Sequence, residues 1–407
     1  SDSGETWTQT AYLKANPIVG SARFGCALAI EGDYAIIGAL YNTGGGAAYI
    51  FKRDTDAETW TQQALLQPQY LDSSDNFGTA VAISGDYVCV GASYEASNDA
   101  NDPSVNQSYN NGNNPGYGSG AAYIFKKDTD AETWTQKAYL KASNIGAQDN
   151  FGSAVAISGD YACVGAYNED SNSINDETND DAAGSGAAYM FKRDSGAETW
   201  VQKAYLKGDP IVSNYNFGYS LVMSGDYTII SAYRETWGKV YIFKTSDSGE
   251  TWVQKAKLAS SSGQSDNFGL GIAMNGDRVI VGAPYNSSND PNDSTNTNSY
   301  QSGAAYIFER DSNAETWTEK AYLKASTIDA GDYFGFGVGL TDNYAIVGSY
   351  KESSNKQADQ SINHTSGSQG YWSGAAYIFK STTYTELTAP TAGANNMVLS
   401  DDGNRYA

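Results

Sequence analysis

The chain has 407 residues, 40% of them hydrophobic, with 43 Gly and 31 Tyr against 8 Pro; this composition points to many short strands and tight turns and excludes wholesale disorder. A net charge of −22, from 47 Asp and Glu against 25 Lys and Arg, argues against nucleic acid or anionic membrane as a partner and suits cations or basic surfaces. No apolar run reaches the roughly 18–20 residues of a membrane span, and with a single histidine, His364, any Ser-His-Asp, Cys-His or histidine-based zinc apparatus would have to be built on that one residue, which weighs against an enzyme.

In chain order, the first element is a strand over Glu5 to Leu13 with no partner before it. A unit then starts at Phe24 and recurs. Phe-Gly stands at Phe24, Phe77, Phe151, Phe217, Phe268 and Phe334, spaced by 53, 74, 66, 51 and 66 residues, and such self-similarity marks a repeat architecture. Each unit carries four short apolar segments, A to D. In the second unit they are FGTAVAIS, GDYVCVGA, SGAAYIFK and ETWTQQALL. Gly, Asp and Ser punctuate them, which reads as a four-stranded antiparallel sheet.

Between A and B lie Gly32-Asp33, Gly85-Asp86, Gly159-Asp160, Gly225-Asp226 and Gly276-Asp277, where glycine supplies a positive φ. Segments A, B and C are near-continuous runs of Ala, Val, Ile and Gly, the mark of strands covered on both faces. Small pairs such as Ala47-Ala48 and Ala121-Ala122 permit close stacking. Radially stacked four-stranded sheets are the blades of a β-propeller. Cys26, Cys89 and Cys163 sit within these apolar runs and read as small buried hydrophobes. Stacked sheets lie about 10 Å apart, too far for a disulfide, so free thiols are expected.

After the sixth unit, Tyr384 to Leu387 can serve as a short D strand, and residues 396–407 mimic strand A and the start of B. The expectation is therefore an all-β, seven-bladed propeller forming one domain over 1–407. Six full units span about 16–387, and a closing blade is shared between 5–15 and 394–407 and lacks its C strand. Either the chain is a piece of a longer one or that blade is incomplete; the first is favoured.

The pattern F-G-x-x-V-A-I-S-G-D-Y-x-x-V-G-A followed by G-A-A-Y-I-F resembles the FG-GAP repeat of integrin α-subunit propellers and their microbial relatives, over residues 5–380. The resemblance implies a propeller used for binding. Those propellers carry an Asp-rich calcium loop between A and B; here it is only Ser-Gly-Asp, as in the shorter microbial variant, so that site does not carry over. The C–D turns at Ser1–Trp7 and Ser246–Trp252 resemble the Asp-box of sialidase propellers, which implies a structural turn; the arginine cluster of a sialidase is not found.

Loop variation falls between B and C. The first and fourth units have short loops, whereas Tyr94–Gly118, Tyr167–Gly184, Tyr285–Ser302 and Tyr350–Ser373 are long and rich in Asn, Asp and Ser. In a four-stranded blade these loops share one face with the D–A crossovers. The long loops contain Asn98, Asn172, Asn289 and Asn355, and the same units carry Asp75, Asp149, Asp266 and Asp332 before Phe-Gly. Each Asp is expected to anchor its loop, by hydrogen bonds to backbone N–H or through a shared Ca2+, which takes six to eight oxygens. Sequons at Asn106, Asn286, Asn292 and Asn363 are candidate glycosylation sites. Tyr94, Tyr167, Trp237, Tyr285, Tyr350 and Trp372 are candidate ligand contacts for sugar rings or a protein partner.

The expected function is a non-enzymatic, extracellular binding or adhesion module, or a building block of a surface structure. It would use the long-loop face toward a protein or glycan at a cell surface or in a fibre or matrix, with self-assembly open. A carbohydrate-binding lectin is the alternative. A polysaccharide lyase or glycosidase comes third, since the loops offer too many carboxylates to single out a pair.

Overall fold

The structure, a computed structural model, describes residues 10–105, 116–176, 179–353 and 374–381, with two short strands at Val398–Leu399 and Arg405–Tyr406. It is a β-propeller. The first blade pairs A (Leu28–Glu31), B (Tyr34–Ala39), C (Ala47–Asp54) and D (Thr59–Leu66) in that order. Four more four-stranded blades follow with the same order, their A strands at Phe77–Ser84, Ala154–Ser158, Phe217–Ser224 and Ile272–Asn275. The sixth has A (Phe334–Leu340), B (Tyr344–Ser349) and C (Ala375–Lys380). Its expected D strand, Tyr384 to Leu387, lies outside the described residues.

The expectation of seven blades is corrected to six. Residues 10–15 carry no strand, and Val398–Leu399 pairs only with Arg405–Tyr406, a two-stranded sheet joined to no blade. An A–B hairpin alone has too little apolar face to stand as a blade. The rest of the expected closing blade, including residues 5–9, lies outside the described residues.

The core is a series of layers between neighbouring blades. Ile36 and Ile50 of blade one meet Phe77, Val88 and Val90 of blade two, and four further layers repeat this down to Ile280 of blade five against Phe334 and Val347 of blade six. The Phe of each Phe-Gly lies edge-on to a Tyr of its own strand C, as in Phe77–Tyr123 at 5.5 Å and Phe151–Tyr189 at 5.3 Å, an arrangement favoured by the ring quadrupoles. Glycine sets the blade spacing. A Cβ on Gly165 would lie 2.1 Å from the Gly218 carbonyl of the next blade, and one on Gly91 1.9 Å from that of Gly152. Parallel bridges Gly120↔Phe151 and Gly186↔Phe217 join neighbouring blades there.

The turn chemistry holds. Gly32, Gly85, Gly159, Gly225 and Gly276 all adopt φ of 54–56°. The Asp-box reads as a structural turn: Asp247 accepts hydrogen bonds from the Thr251 N–H (2.9 Å) and hydroxyl (2.6 Å). Cys89 and Cys163 are buried in strand B and all three cysteines are free. Cys26 departs from expectation: it is exposed, because its position faces the axis, where the equivalent Thr79, Ser153 and Tyr219 line a cavity.

Candidate functional site

Strand A begins and strand B ends on the B–C loop face, and the sequence puts bulky residues at both places. Around the axis on that face they line a wide-open cavity of about 570 Å³. Its lining includes Arg23, Tyr41, Tyr94, Tyr167 and Tyr219. From Tyr167 an aromatic belt runs through Tyr219 (5.5 Å) to Tyr233 (4.4 Å). A second arc joins Tyr285 to Tyr333 (5.2 Å), Tyr350 (5.3 Å) and Phe336 (4.5 Å). Burial raises the Tyr167 and Tyr219 hydroxyls above their usual pKa, so both remain neutral donors at physiological pH.

Of the expected aromatics, Tyr94 and Tyr167 line the cavity and Tyr285 and Tyr350 belong to the second arc, with Tyr94 and Tyr350 exposed. Trp237 is also exposed, on the short fourth loop with φ of 69°. Trp372 lies outside the described residues. The sequence reading missed Tyr41, Tyr219, Tyr233, Tyr333 and Phe336. For Tyr219 and Phe336 the signal was there: the second residue after the Phe of Phe-Gly is a bulky ring only in FGY and FGF.

The Tyr after strand B also hides a change of register. The backbone N–H that meets the carbonyl of the D–A residue belongs to Tyr41, Tyr94 and Tyr285 in three blades, but to Asn168 and Lys351 in two others. Tyr167 and Tyr350 thus stand one residue earlier.

The Asp residues before Phe-Gly are buried but serve their own D–A segments. Asp75 accepts the Asp72 N–H (2.8 Å), Asp149 the Gly146 N–H (3.1 Å) and Asp266 the Ser262 hydroxyl (2.6 Å). The loop is met by the backbone carbonyl at this position, and Ala22 of the short-loop first blade makes the same contact, so Asp does not determine loop length. Asn98, Asn172 and Asn289 are exposed; the N–H groups of the last two are capped by Asn179 and Asn296 within their loops. Asn355 lies outside the described residues. No group of three or more His, Cys, Asp or Glu side chains converges among the described residues. Ca2+ at these places stays a proposal without a gathered ligand set. Burial, with like charge from Glu169 and Asp170, pushes Asp149 up to about 8; burial, with Asp329 and Glu352, pushes Asp332 up to about 7.

What closes the base of the long loops is a buried Lys. Lys141, at the end of strand D, donates to Glu95 (2.6 Å), Ser119 Oγ (2.7 Å) and the Gly120 carbonyl (2.7 Å). Lys207 donates likewise to Glu169 (2.5 Å) and Ser185 Oγ (2.6 Å). In the fifth blade Asn286 takes the place of the Glu, and Lys324 bonds Ser302 Oγ (2.8 Å); burial holds its pKa down to about 7. Asn286 is wholly buried and accepts the Tyr322 hydroxyl (3.0 Å), which corrects the expectation of a glycan there. Asn292 is exposed, whereas Asn106 and Asn363 lie outside the described residues.

The FG-GAP repeat profile matches residues 7–51, 60–106, 134–191, 252–308 and 317–379, more than half of the chain. The last four matches begin at strand D of one blade and run toward strand C of the next, and the first ends in strand C of blade one. The chain belongs to the FG-GAP repeat family. No curated protein matches it. Among solved structures, this FG-GAP chain is similar to a Bacteroides uniformis protein provisionally named 6-phosphogluconolactonase, at 12% identity and TM-score 0.50, over 79% of this chain and 77% of that one. A Bacteroides fragilis protein of the same provisional name gives 11% identity and TM-score 0.46, over 79% and 76%. At such identity the first likeness speaks to the propeller fold alone, and the second carries no argument.

Proposed function

We propose that this FG-GAP propeller is a non-enzymatic extracellular binding or adhesion module that takes its ligand on the B–C loop face. The observation that carries this reading is the axial cavity with its tyrosine belt, a concave site lined by rings and a few polar groups. Aromatic anchors of this kind dominate binding surfaces because they offer large rigid area at low entropic cost. The opposite face is occupied by turns that staple neighbouring blades, as in Lys126–Glu198 at 3.0 Å and Lys244–Glu315 at 3.0 Å. A lectin is the second reading, favoured by the partly exposed tyrosine faces at the mouth, which suit the C–H face of a pyranose.

The test is retention on an array of glycans and matrix proteins. Wild type is expected to hold a defined set of spots that Tyr94→Ala and Tyr219→Ala release. Two rim grooves lie between neighbouring D strands, one lined by Leu65, Trp134 and Tyr139 and the other by Tyr205, Trp252 and Val253; release by changes at Trp134 or Trp252, with the mouth variants still bound, would contradict it.

A further inference from the structure

The position before Phe-Gly is Asn in four blades: Asn76, Asn150, Asn216 and Asn267. Each has a left-handed backbone with φ of 53–59°, a conformation Asn tolerates better than larger side chains. Two of the amides have visible work. Asn150 Nδ2 donates to the Ser93 carbonyl (3.2 Å) and Asn216 Nδ2 to the Tyr167 carbonyl (2.9 Å), tying each blade to the loop before it.

Arg23 and Tyr333 hold the same backbone, at φ of 53° and 56°, without that chemistry. Strained non-glycine backbone concentrates at functional sites, and here Arg23 stands at the mouth while Tyr333 stands in the second aromatic arc. Arg23 lines the cavity, its guanidinium 4.6 Å from the Tyr41 ring. Tyr333 sits between Tyr285 and Tyr350, with Lys351 Nζ 4.5 Å above its ring. From the fourth blade Arg234 lies 5.5 Å from the Tyr233 ring, and its charge reaches the hydroxyls of Tyr167 and Tyr219, two residues of the lining. Neither guanidinium meets a carboxylate among the described residues, and none of the cavity's lining residues is acidic. In a chain of net charge −22, that is a local reversal of sign.

We propose that the axial mouth binds an anionic saccharide of the uronic-acid class, stacking its pyranose rings on the tyrosines and holding its carboxylates with Arg23 of the lining and, separately, with Arg234 beside Tyr233. Arginine pairs with a carboxylate through two parallel N–H donors, and tyrosine faces take the apolar side of a sugar ring. This rests on the B–C face being the binding surface and adds the class of ligand.

Calorimetry at low salt with tetragalacturonate, its fully methyl-esterified form and an oligoglutamate peptide tests it. The free acid binds, and the ester, which keeps the rings and loses the charge, binds about tenfold more weakly or worse. Affinity for the acid falls as salt screens the arginines. Arg23→Asn is the decisive variant. It restores the residue of the other blades, so its Tm stays level or rises while affinity for the acid drops about tenfold; Arg234→Gln weakens binding similarly. Equal binding of acid and ester, unaltered binding by Arg23→Asn, tighter binding of oligoglutamate, or no binding of tetragalacturonate each overturns the inference. In those cases array retention still lost in Tyr219→Ala would leave the binding face standing; retention indifferent to Tyr219→Ala and Tyr94→Ala would remove the face itself.

Discussion

At Asp149 burial and charge are in conflict. In an unfolded chain it ionises near 3.8, and in the folded blade near 8. The folded state therefore holds its proton over that interval, and stability falls as pH rises from about 4 to about 8, then levels. Asp149→Asn keeps an acceptor for the Gly146 N–H and removes the titration. Wild type is expected to lose about 1–3 kcal/mol between pH 5 and pH 8 that the variant keeps, less than the full linkage because the site retains some solvent contact. Urea unfolding at both pH values checks this; a pH-independent difference would contradict it. Gly165 makes a steric demand of another kind, since its missing Cβ leaves room for the next blade's backbone. Gly165→Ala is expected to cost about 1–3 kcal/mol by forcing blades three and four apart. Ser231 occupies the equivalent place in blade four, fully buried, and its Oγ accepts the Ser220 N–H (3.0 Å), so Ser231→Gly should cost about 1–2 kcal/mol through the lost acceptor and the freer unfolded backbone.

At the scale of elements, the Lys141–Glu95 pair links the end of strand D to the base of a loop, with both side chains almost fully buried. Lys141→Met leaves a buried carboxylate and is expected to cost about 3–5 kcal/mol. Adding Glu95→Gln should recover most of that loss, because the stranded charge causes it. Lys324→Met should cost less, since Lys324 bonds Ser302 and the Gly303 carbonyl and has only the more distant Asp332 as a carboxylate neighbour. Equal losses for Lys141→Met and Lys324→Met in denaturant titrations would refute this account. The strands themselves were legible because Phe-Gly, Gly-Asp and Gly-Ala-Ala each answer a local demand of φ or close approach. The latch was not. Glu95 and Lys141 stand 46 residues apart, and nothing local ties them. The tyrosine belt was half legible: Tyr94, Tyr167, Tyr285 and Tyr350 were singled out after strand B, while Tyr219, Tyr333 and Phe336, which pack beside three of them, were not. The Asp–Asn pairing of the long loops came from coincident spacing and assigned to side chains a contact that the backbone makes.

At the scale of the molecule, the described ring has two open flanks. Ile36 and Ile50 of blade one are wholly buried, but their equivalents Ile346 and Ile378 in blade six are each 47% exposed. On the other flank Leu28 is 68% exposed, against 8% for Val155 at the same place in blade three. Ile36→Ser is therefore expected to cost about 3–5 kcal/mol and Ile346→Ser under about 1. Equal costs would mean that the flank of blade six is covered in solution. The scaffold thus places one concave, ring-lined and locally cationic site on the axis of an acidic disc, and the account stands on that site being where ligand binds. Tyrosine nitration with and without bound ligand, using tetragalacturonate and the strongest array ligand, reads this directly by mass spectrometry. The account predicts protection of Tyr41, Tyr94, Tyr167 and Tyr219, with Tyr12 and Tyr70 modified equally in both states. Protection confined to tyrosines of the rim grooves, such as Tyr139 and Tyr205, would contradict it.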